Sequence, residues 1–464
     1  MAVAPTTTMP SIDAIVARMR ARGAQPALFA RGATVSHDAF FEMVDAWDGR
    51  LRADGVGAGT VCGFLSDYSP QTCALIVALL KARAIAVPFT PEVAAEMATF
   101  IAIAGVEQLY RFDADDTWTG ERLAAASSDP LVAGFRERRR PGLVVFTSGS
   151  TGRPKGILHD AELVMRKFVV PRPGWRTVLF LLMDHFGGFN TLLSSFAYGG
   201  MGVCLPRRTP DAVCQAIQDA RADLLPTTPT FLNVLIASGA YRRYDLSSIR
   251  LITYGTELMP DATLRKIVEM FPHAQLKQTY GLSELGVLRS DSESRDSVWV
   301  RIGGAGFEVK VEDGLLWVRS ESNMVGYLNA PSPFDADGWM CTGDHVEVRG
   351  DYVRFLGRKS DVINVGGKKV YPVEVETVLL EADNVRSATA FAGSNPLLGQ
   401  VVHARVSLAT PEDPSQLTER LRTFCYARLA KYKVPTRFVV VDDAQQHSAR
   451  FKKLRPAAAV DTSC

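Results

Sequence analysis

At 464 residues the chain exceeds what one hydrophobic core ordinarily serves, so at least two domains are expected. Hydrophobic residues at 47% and charged residues at 22% are the balance of a globular protein, which sets disordered and membrane-embedded classes aside. The formal net charge of +2 argues neither for a nucleic-acid partner nor for an acidic surface, the basic run Arg136, Arg138, Arg139, Arg140 reads as a solvated linker, and no nucleic-acid partner is expected.

In chain order, Ser11 can cap a helix carrying Ile12, Ile15, Val16 and Met19, which Gly23 stops, and Ser36 opens a second with Phe40, Phe41, Val44, Trp47 and Leu51 on one face. From Val61 the pattern becomes strand, helix over 70–84, strand, then a helix from Glu92 and a strand near Gln108. An apolar strand at 143–146 follows, then strands at 177–183, 202–206, 224, 250–255 and 276–281 with helices between them. Such alternation is the signature of a covered, mostly parallel sheet. Beyond Ser297 short β-like runs suggest a small β-rich subdomain, and the last hundred or so residues, with helices over 373–380 and 416–430, suffice for a separate α+β domain. The expected class is therefore α/β: a large layered N-terminal domain with a β-rich subdomain, plus a small C-terminal α+β domain.

Seven cysteines without a C-x-x-C pair favour reduced thiols over a disulfide framework or a zinc site. The start, MAVAPTTTMPS, has no basic segment followed by an apolar one, and no uncharged apolar run reaches membrane-spanning length. A cytoplasmic protein with no membrane insertion is expected.

The segment 147–156, TSGSTGRPKG, follows the strand at 143–146. Alternating glycines and hydroxyl residues ending in a lysine supply bare backbone N–H groups, hydroxyl donors and one cation, a phosphate cradle. Its spacing is not that of the Walker loop. A flexible surface loop is the alternative for the decapeptide alone, though Pro154 and Lys155 are odd choices for a spacer. Residues 279–284, TYGLSE, also follow an apolar strand: the tyrosine face can stack on a purine, the serine can reach a phosphate, and the carboxylate can hold Mg²⁺. Further on stand Thr342-Gly343-Asp344, the twenty-two residues FLGRKSDVINVGGKKVYPVEVE at 355–376, and a basic run around Lys452, Lys453 and Arg455.

These segments, in this order, resemble the motifs of the adenylate-forming superfamily: acyl- and aryl-CoA synthetases, peptide-synthetase adenylation domains and luciferases. The resemblance covers essentially the whole chain and is nearest to stand-alone acyl- or aryl-acid ligases. It implies an N-terminal domain over 1–358 that binds ATP and the acid, and a mobile C-terminal lid over 359–464, with the active site in the cleft between them. Thr147, Ser148, Gly149, Ser150, Thr151, Gly152 and Lys155 would hold the ATP phosphates. Tyr254, Gly255, Thr256, Tyr280, Gly281, Ser283, Asp344 and Arg358 would hold AMP, Asp344 through both ribose hydroxyls. Glu284 would bind the metal. Ser283 stands where the family usually has threonine and keeps the hydroxyl.

Gly366 and Gly367 would admit the pantetheine arm of the thiol acceptor. The hinge falls on Ser360, where the family has Asp or Lys, with Asp361 as the alternative pivot. Lys452 aligns with the catalytic lysine, although Phe451 replaces the glycine that precedes it and Lys453 is one residue away. His185, Phe186 and Gly188 would line the acid pocket; His185 reads equally well as a packed histidine, and His159 as structural. The absence of an acid at position 185 favours a substrate without an α-amino group.

The implied reaction is activation of a carboxylic acid by Mg·ATP to an acyl adenylate, then transfer to a thiol. CoA and the phosphopantetheine of a separate carrier protein share that thiol, so both acceptors stay open. The acid is expected to be an aryl acid, with short- or medium-chain acids as the alternative; a non-catalytic adenylate-binding relative is the reading from another class.

Overall fold

The apolar runs near residues 61 and 85 form adjacent parallel strands, Val61–Leu65 and Ile85–Phe89. Their side chains alternate between two apolar clusters, with Cys62, Phe64, Ala86, Leu143 and Val145 in one and Val61, Ile85, Val87, Val144 and Phe146 in the other. Both faces are covered, as a parallel sheet requires. In spatial order this sheet runs Gly326–Tyr327, Pro154–Asp160, Gly142–Ser148, Ile85–Phe89, Val61–Leu65, Gln108–Phe112, Trp118–Arg122. The strand Gly142–Ser148 is thus parallel to one neighbour and antiparallel to the other, Pro154–Asp160.

A computed structural model describes residues 11–123, 129–148, 153–304, 306–448, 451 and 453–455. The chain divides into two compact units: Met1–Pro226 with Gly281–Val287 and Arg319–Phe334, and Thr227–Tyr280 with Leu288–Val318 and Asp335–Cys464. In the first unit the helix His37–Ala53 is capped by Ser36, whose hydroxyl accepts from Ala39 N–H, and buries the expected face, Phe40, Phe41, Val44, Trp47 and Leu51. The helix Pro70–Lys81 is apolar all round over Cys73–Leu80, and that stretch lies wholly inside.

Three expectations are corrected here. The run 177–183 is strand only over Arg176–Val178; Leu179 N–H makes one further bond to Val203 O, Phe180 N–H then bonds back to Val178 O, and Phe180, Leu182 and Met183 stay buried beyond the strand's end, so their hydrophobicity records burial rather than extension. The helix expected from Glu92 begins at Met97, after a single 3₁₀ turn at Pro91–Val93 that no side chain caps. The hairpin Pro26–Ala30 with Ala33–Ser36 is additional to the sequence reading; its turn places Arg31 and Gly32 at positive φ.

In the second unit Leu251–Tyr254 and Gln275–Gln278 pair in parallel. An antiparallel sheet in the order Arg289–Ser292, Val300–Gly303, Tyr352–Arg358, Met340–Arg349, Leu315–Ser320, Phe307–Glu312 is the β-rich subdomain expected after Ser297. The C-terminal residues form a sheet of Lys368–Val370, Ile363–Val365, Gly399–Leu408, Val385–Asn395 and Arg437–Val440. Helices Pro372–Leu380 and Pro414–Tyr426 cover it through Val375, Leu379, Leu417 and Leu421; the second helix ends four residues short of the expected Ala430. The class is mixed α/β, as the sequence indicates. Among the described residues no helix is long and apolar enough to cross a membrane, and the six described cysteines form no disulfide with one another.

Candidate active site

The phosphate-loop segment is the turn of a hairpin. Thr147 pairs with Lys155 and Ser148 with Pro154, so the two ends of the loop are fixed by ladder hydrogen bonds; Gly149, Ser150, Thr151 and Gly152 lie outside the described residues. Phe146, at the end of the incoming strand, stacks on Phe100 with centroids 4.2 Å apart, and this holds the strand end in place. On the outgoing strand Asn329 clamps the backbone, accepting from Gly156 N–H at 3.0 Å and donating to Pro154 O at 2.8 Å. Lys155 Nζ lies 4.8 Å from the centre of the Tyr327 ring, and the Tyr327 hydroxyl donates to Glu284 Oε1 at 2.8 Å. Burial and the neighbouring carboxylate push the Tyr327 phenol up, so it remains protonated and a donor.

Ser283 and Glu284 occupy the turn of a short hairpin in which Gly281 pairs with Val287 and Leu282 with Gly286. His159, fully buried, bonds Ser283 O through Nε2 at 2.6 Å, and its ring packs 4.6 Å from that of Phe186. His159, read as structural from the sequence, therefore braces the turn that carries Ser283 and Glu284. Burial, only partly offset by the Ser283 carbonyl, lowers its pKa from 6.5 to about 4, and buried His37 is lowered likewise, burial first and Arg22 second. Between those values the folded chain binds fewer protons than the unfolded one, so stability falls as pH falls from 6.5 towards 4. Each histidine contributes a slope of up to about 1.4 kcal/mol per pH unit. Urea midpoints at neutral and mildly acid pH should show this loss, and His159→Gln, which keeps an N–H for Ser283, should reduce it; an unchanged slope would mean that His159 is already charged in the native protein.

His185 sits half-buried at the N-cap of the helix Phe186–Ala197. Asp184 before it is buried and accepts from the Thr90 hydroxyl at 2.9 Å. Two of the expected acid-pocket residues are closely packed. Phe186, 4% exposed, is part of the main core, and Gly188 lies against backbone: a Cβ there would meet Leu182 O at 2.0 Å. Gly188→Ala should therefore destabilise the chain whatever the acid, because a carbonyl cannot yield as a flexible side chain can; thermal melts of the ligand-free protein would read this, and an unchanged melting temperature would refute it.

The second unit carries the other expected contacts. Asp344 and Arg358 face each other across antiparallel strands, Arg358 Nε lying 3.3 Å from Asp344 Oδ1. The Tyr280 hydroxyl donates to Asp344 Oδ2 at 2.7 Å, and the Tyr280 ring stacks on Phe355 with centroids 4.5 Å apart. One face of Tyr280 is thus covered by Phe355. Burial raises the Asp344 carboxyl, with Arg358 and Tyr280 opposing it. The strand Leu251–Tyr254 buries alternate residues, and the Tyr254 side chain is 1% exposed. Gly255 packs flush on Thr279, where a Cβ would be 2.5 Å from Oγ1, and Thr256 adopts φ +69°, a strained value for a β-branched residue.

Gly366 and Gly367, both at positive φ, make the two-residue turn between Ile363–Val365 and Lys368–Val370. Gly366 N–H bonds Leu398 O at 3.1 Å. Ser360 lies in the 3₁₀ turn Lys359–Asp361 and donates to Asp361 Oδ1. Lys452 lies outside the described residues. Its neighbours are informative. Phe451, where the family pattern has glycine, takes a left-handed φ of +51°, with its ring 5.3 Å from Phe231 and its carbonyl accepting from the Thr228 hydroxyl. Lys453 Nζ is bound to Glu376 Oε2 at 2.6 Å, and Arg455 to Glu376 Oε1 at 2.9 Å. Tyr327, Asn329, Phe355 and the Glu376 ion pairs were missed by sequence reasoning; no local spacing marks them, since each acts through a partner distant in the chain.

The family model described as AMP-binding enzyme matches residues 16–328, and that described as AMP-binding enzyme C-terminal domain matches residues 374–452. The chain is 31% identical over 321 residues to a methyl-dioxo-octahydro-indenyl-propanoyl:CoA ligase of Rhodococcus jostii, a match covering 64% of this chain and 61% of that ligase. It is 26% identical over 454 residues to the indoleacetate–CoA ligase of Aromatoleum aromaticum, covering 86% and 88% of the two chains. Among solved structures, the anthranilate CoA ligase AuaEII in complex with anthranoyl-AMP superposes with a TM-score of 0.80 at 20% identity, over 96% of this chain and 95% of that one.

Proposed function

Because this chain belongs to the AMP-binding enzyme family, we propose that it activates a carboxylic acid with ATP as an acyl adenylate and passes the acyl group to the thiol of CoA. The observation that carries this reading is the arrangement of Lys155, Tyr327 and Glu284 on and beside the outgoing strand: an ammonium and a carboxylate held on one phenol yet not paired with each other.

In the proposed reaction the acid's carboxylate attacks the α-phosphate and pyrophosphate leaves. The loop 147–155 holds the outgoing phosphates through backbone N–H groups and Lys155, Ser283 reaches the α-phosphate, and Asp344 and Arg358 hold the ribose. Lys452 spreads positive charge over the transition state, so catalysis is by positioning and charge stabilisation rather than by proton transfer. Among the described residues no cluster of three or more metal-ligating side chains stands together. A single carboxylate at Glu284 fits Mg²⁺ that arrives with ATP and keeps water and phosphate oxygens as its other ligands; when bound, the ion neutralises phosphate charge. We further propose that residues 359–464 act as a lid turning about Ser360, with Gly366 and Gly367 admitting the pantetheine arm for the second half-reaction. A carrier-protein thiol is the second acceptor to be compared with CoA.

An aryl acid is the substrate class we favour. The relatives named above act on ring-bearing acids, and no acidic side chain occupies position 185 to pair an α-ammonium. Incubation with ATP, Mg²⁺, CoA and a panel of benzoic, indolic and straight-chain acids, with thioesters read by mass spectrometry, tests this choice. Thioester from ring acids alone is expected; thioester from straight-chain acids alone would replace the aryl assignment.

A further inference from the structure

Tyr327 has no part in the reaction set out above, yet it touches two of its charged groups. Its position is fixed by backbone: Gly326 and Tyr327 pair with Leu158 and Ile157, and Leu328 N–H bonds Gly156 O at 2.8 Å. The phenol therefore stands over the outgoing strand of the loop, with Lys155 on its face at 4.8 Å and Glu284 on its hydroxyl at 2.8 Å. Tyr327 is half-buried, and ammonium and carboxylate groups this close would otherwise pair with each other. A lysine paired to carboxylate is not available to phosphate, and a carboxylate paired to lysine is a poor ligand for a cation.

We infer that Tyr327 is a positioning residue that keeps Lys155 and Glu284 apart, holding the ammonium by its ring face and one carboxylate oxygen by its hydroxyl, so that the other oxygen faces a divalent cation. The inference rests on the reading of Glu284 and Lys155 given above. It separates two functions of one side chain: the hydroxyl governs the metal, the ring governs the lysine.

The test uses the full chain with Mn²⁺ as the probe, since carboxylate and water ligands suit Mn²⁺ as they do Mg²⁺. Free Mn²⁺ is followed by electron paramagnetic resonance in the presence of ATP, and ATP binding without metal is measured separately, each variant being checked by its thermal melt. Tyr327→Phe should weaken Mn²⁺ binding about tenfold and leave metal-free ATP binding unchanged, the size usual for a partner of a metal ligand. Tyr327→Leu should weaken both. Glu284→Gln is the control for the underlying reading. If Glu284→Gln weakens Mn²⁺ and Tyr327→Phe does not, the inference fails and the metal reading stands; if Glu284→Gln leaves Mn²⁺ binding intact, both fail. Loss of metal-free ATP binding in Tyr327→Phe as large as its loss of Mn²⁺ would also overturn the separation.

Discussion

Lys452→Ala is expected to abolish acid-dependent pyrophosphate release while leaving transfer from a supplied acyl adenylate to CoA largely intact. The first half-reaction gathers negative charge on the α-phosphate as the carboxylate enters and pyrophosphate leaves; the second expels AMP from an anhydride already formed. A cation serving the first should cost about 10²–10³-fold in that step when removed, the size seen for a single preorganised charge donor. The neighbouring Lys453 is poorly suited to that task. Its ammonium is held by a glutamate that is 1% exposed, and withdrawing it would leave a buried carboxylate short of a partner. Lys453→Ala should therefore lower stability first and turnover only in proportion to unfolded protein. Equal losses in both half-reactions for Lys452→Ala would refute the proposed division of labour.

Glu376→Ala should destabilise the second unit by about 3–5 kcal/mol, the range for breaking a buried ion pair by deleting one partner. Glu376 accepts from Lys453 at 2.6 Å, from Arg455 at 2.9 Å and from Ala390 N–H at 3.0 Å. Burial alone would raise its pKa from 4.5, but Arg455 and then Lys453 bring it to about 2. With the folded value below the unfolded one, the carboxylate's stabilisation is complete above the ordinary glutamate range and is lost as pH falls from about 4.5 towards 2. Urea unfolding of parent and variant at neutral pH, repeated down that window, reads both effects. A variant within about 1 kcal/mol of the parent would show the network to be a surface pair in all but burial.

The sheet was legible because its strands obey simple rules. Val61–Leu65 and Ile85–Phe89 are short and apolar, and the helices on either side of the first carry serine caps, so period and punctuation agree there. The run at 177–183 misled for the converse reason: burial beyond the end of a strand leaves the same apolar signature as the strand itself. The candidate site was legible where motif residues touch each other, as Tyr280, Asp344 and Arg358 do. It was not legible where a contact joins segments far apart in sequence, such as Tyr327 with Glu284 or His159 with Ser283, because neither partner carries a local mark. At position 451, where the family pattern has glycine, the backbone takes the left-handed conformation that glycine adopts without strain, and the phenylalanine ring packs on Phe231.

Pyrophosphate release on mixing the protein with Mg·ATP and a ring-bearing acid, with no thiol present, tests the central claim most directly. Acyl-adenylate formation predicts an acid-dependent burst of one pyrophosphate per active site, with the adenylate retained and a steady rate appearing only when CoA is added. A protein that binds ATP yet releases no pyrophosphate with any acid in the panel would contradict it and leave a non-catalytic nucleotide-binding member of the family.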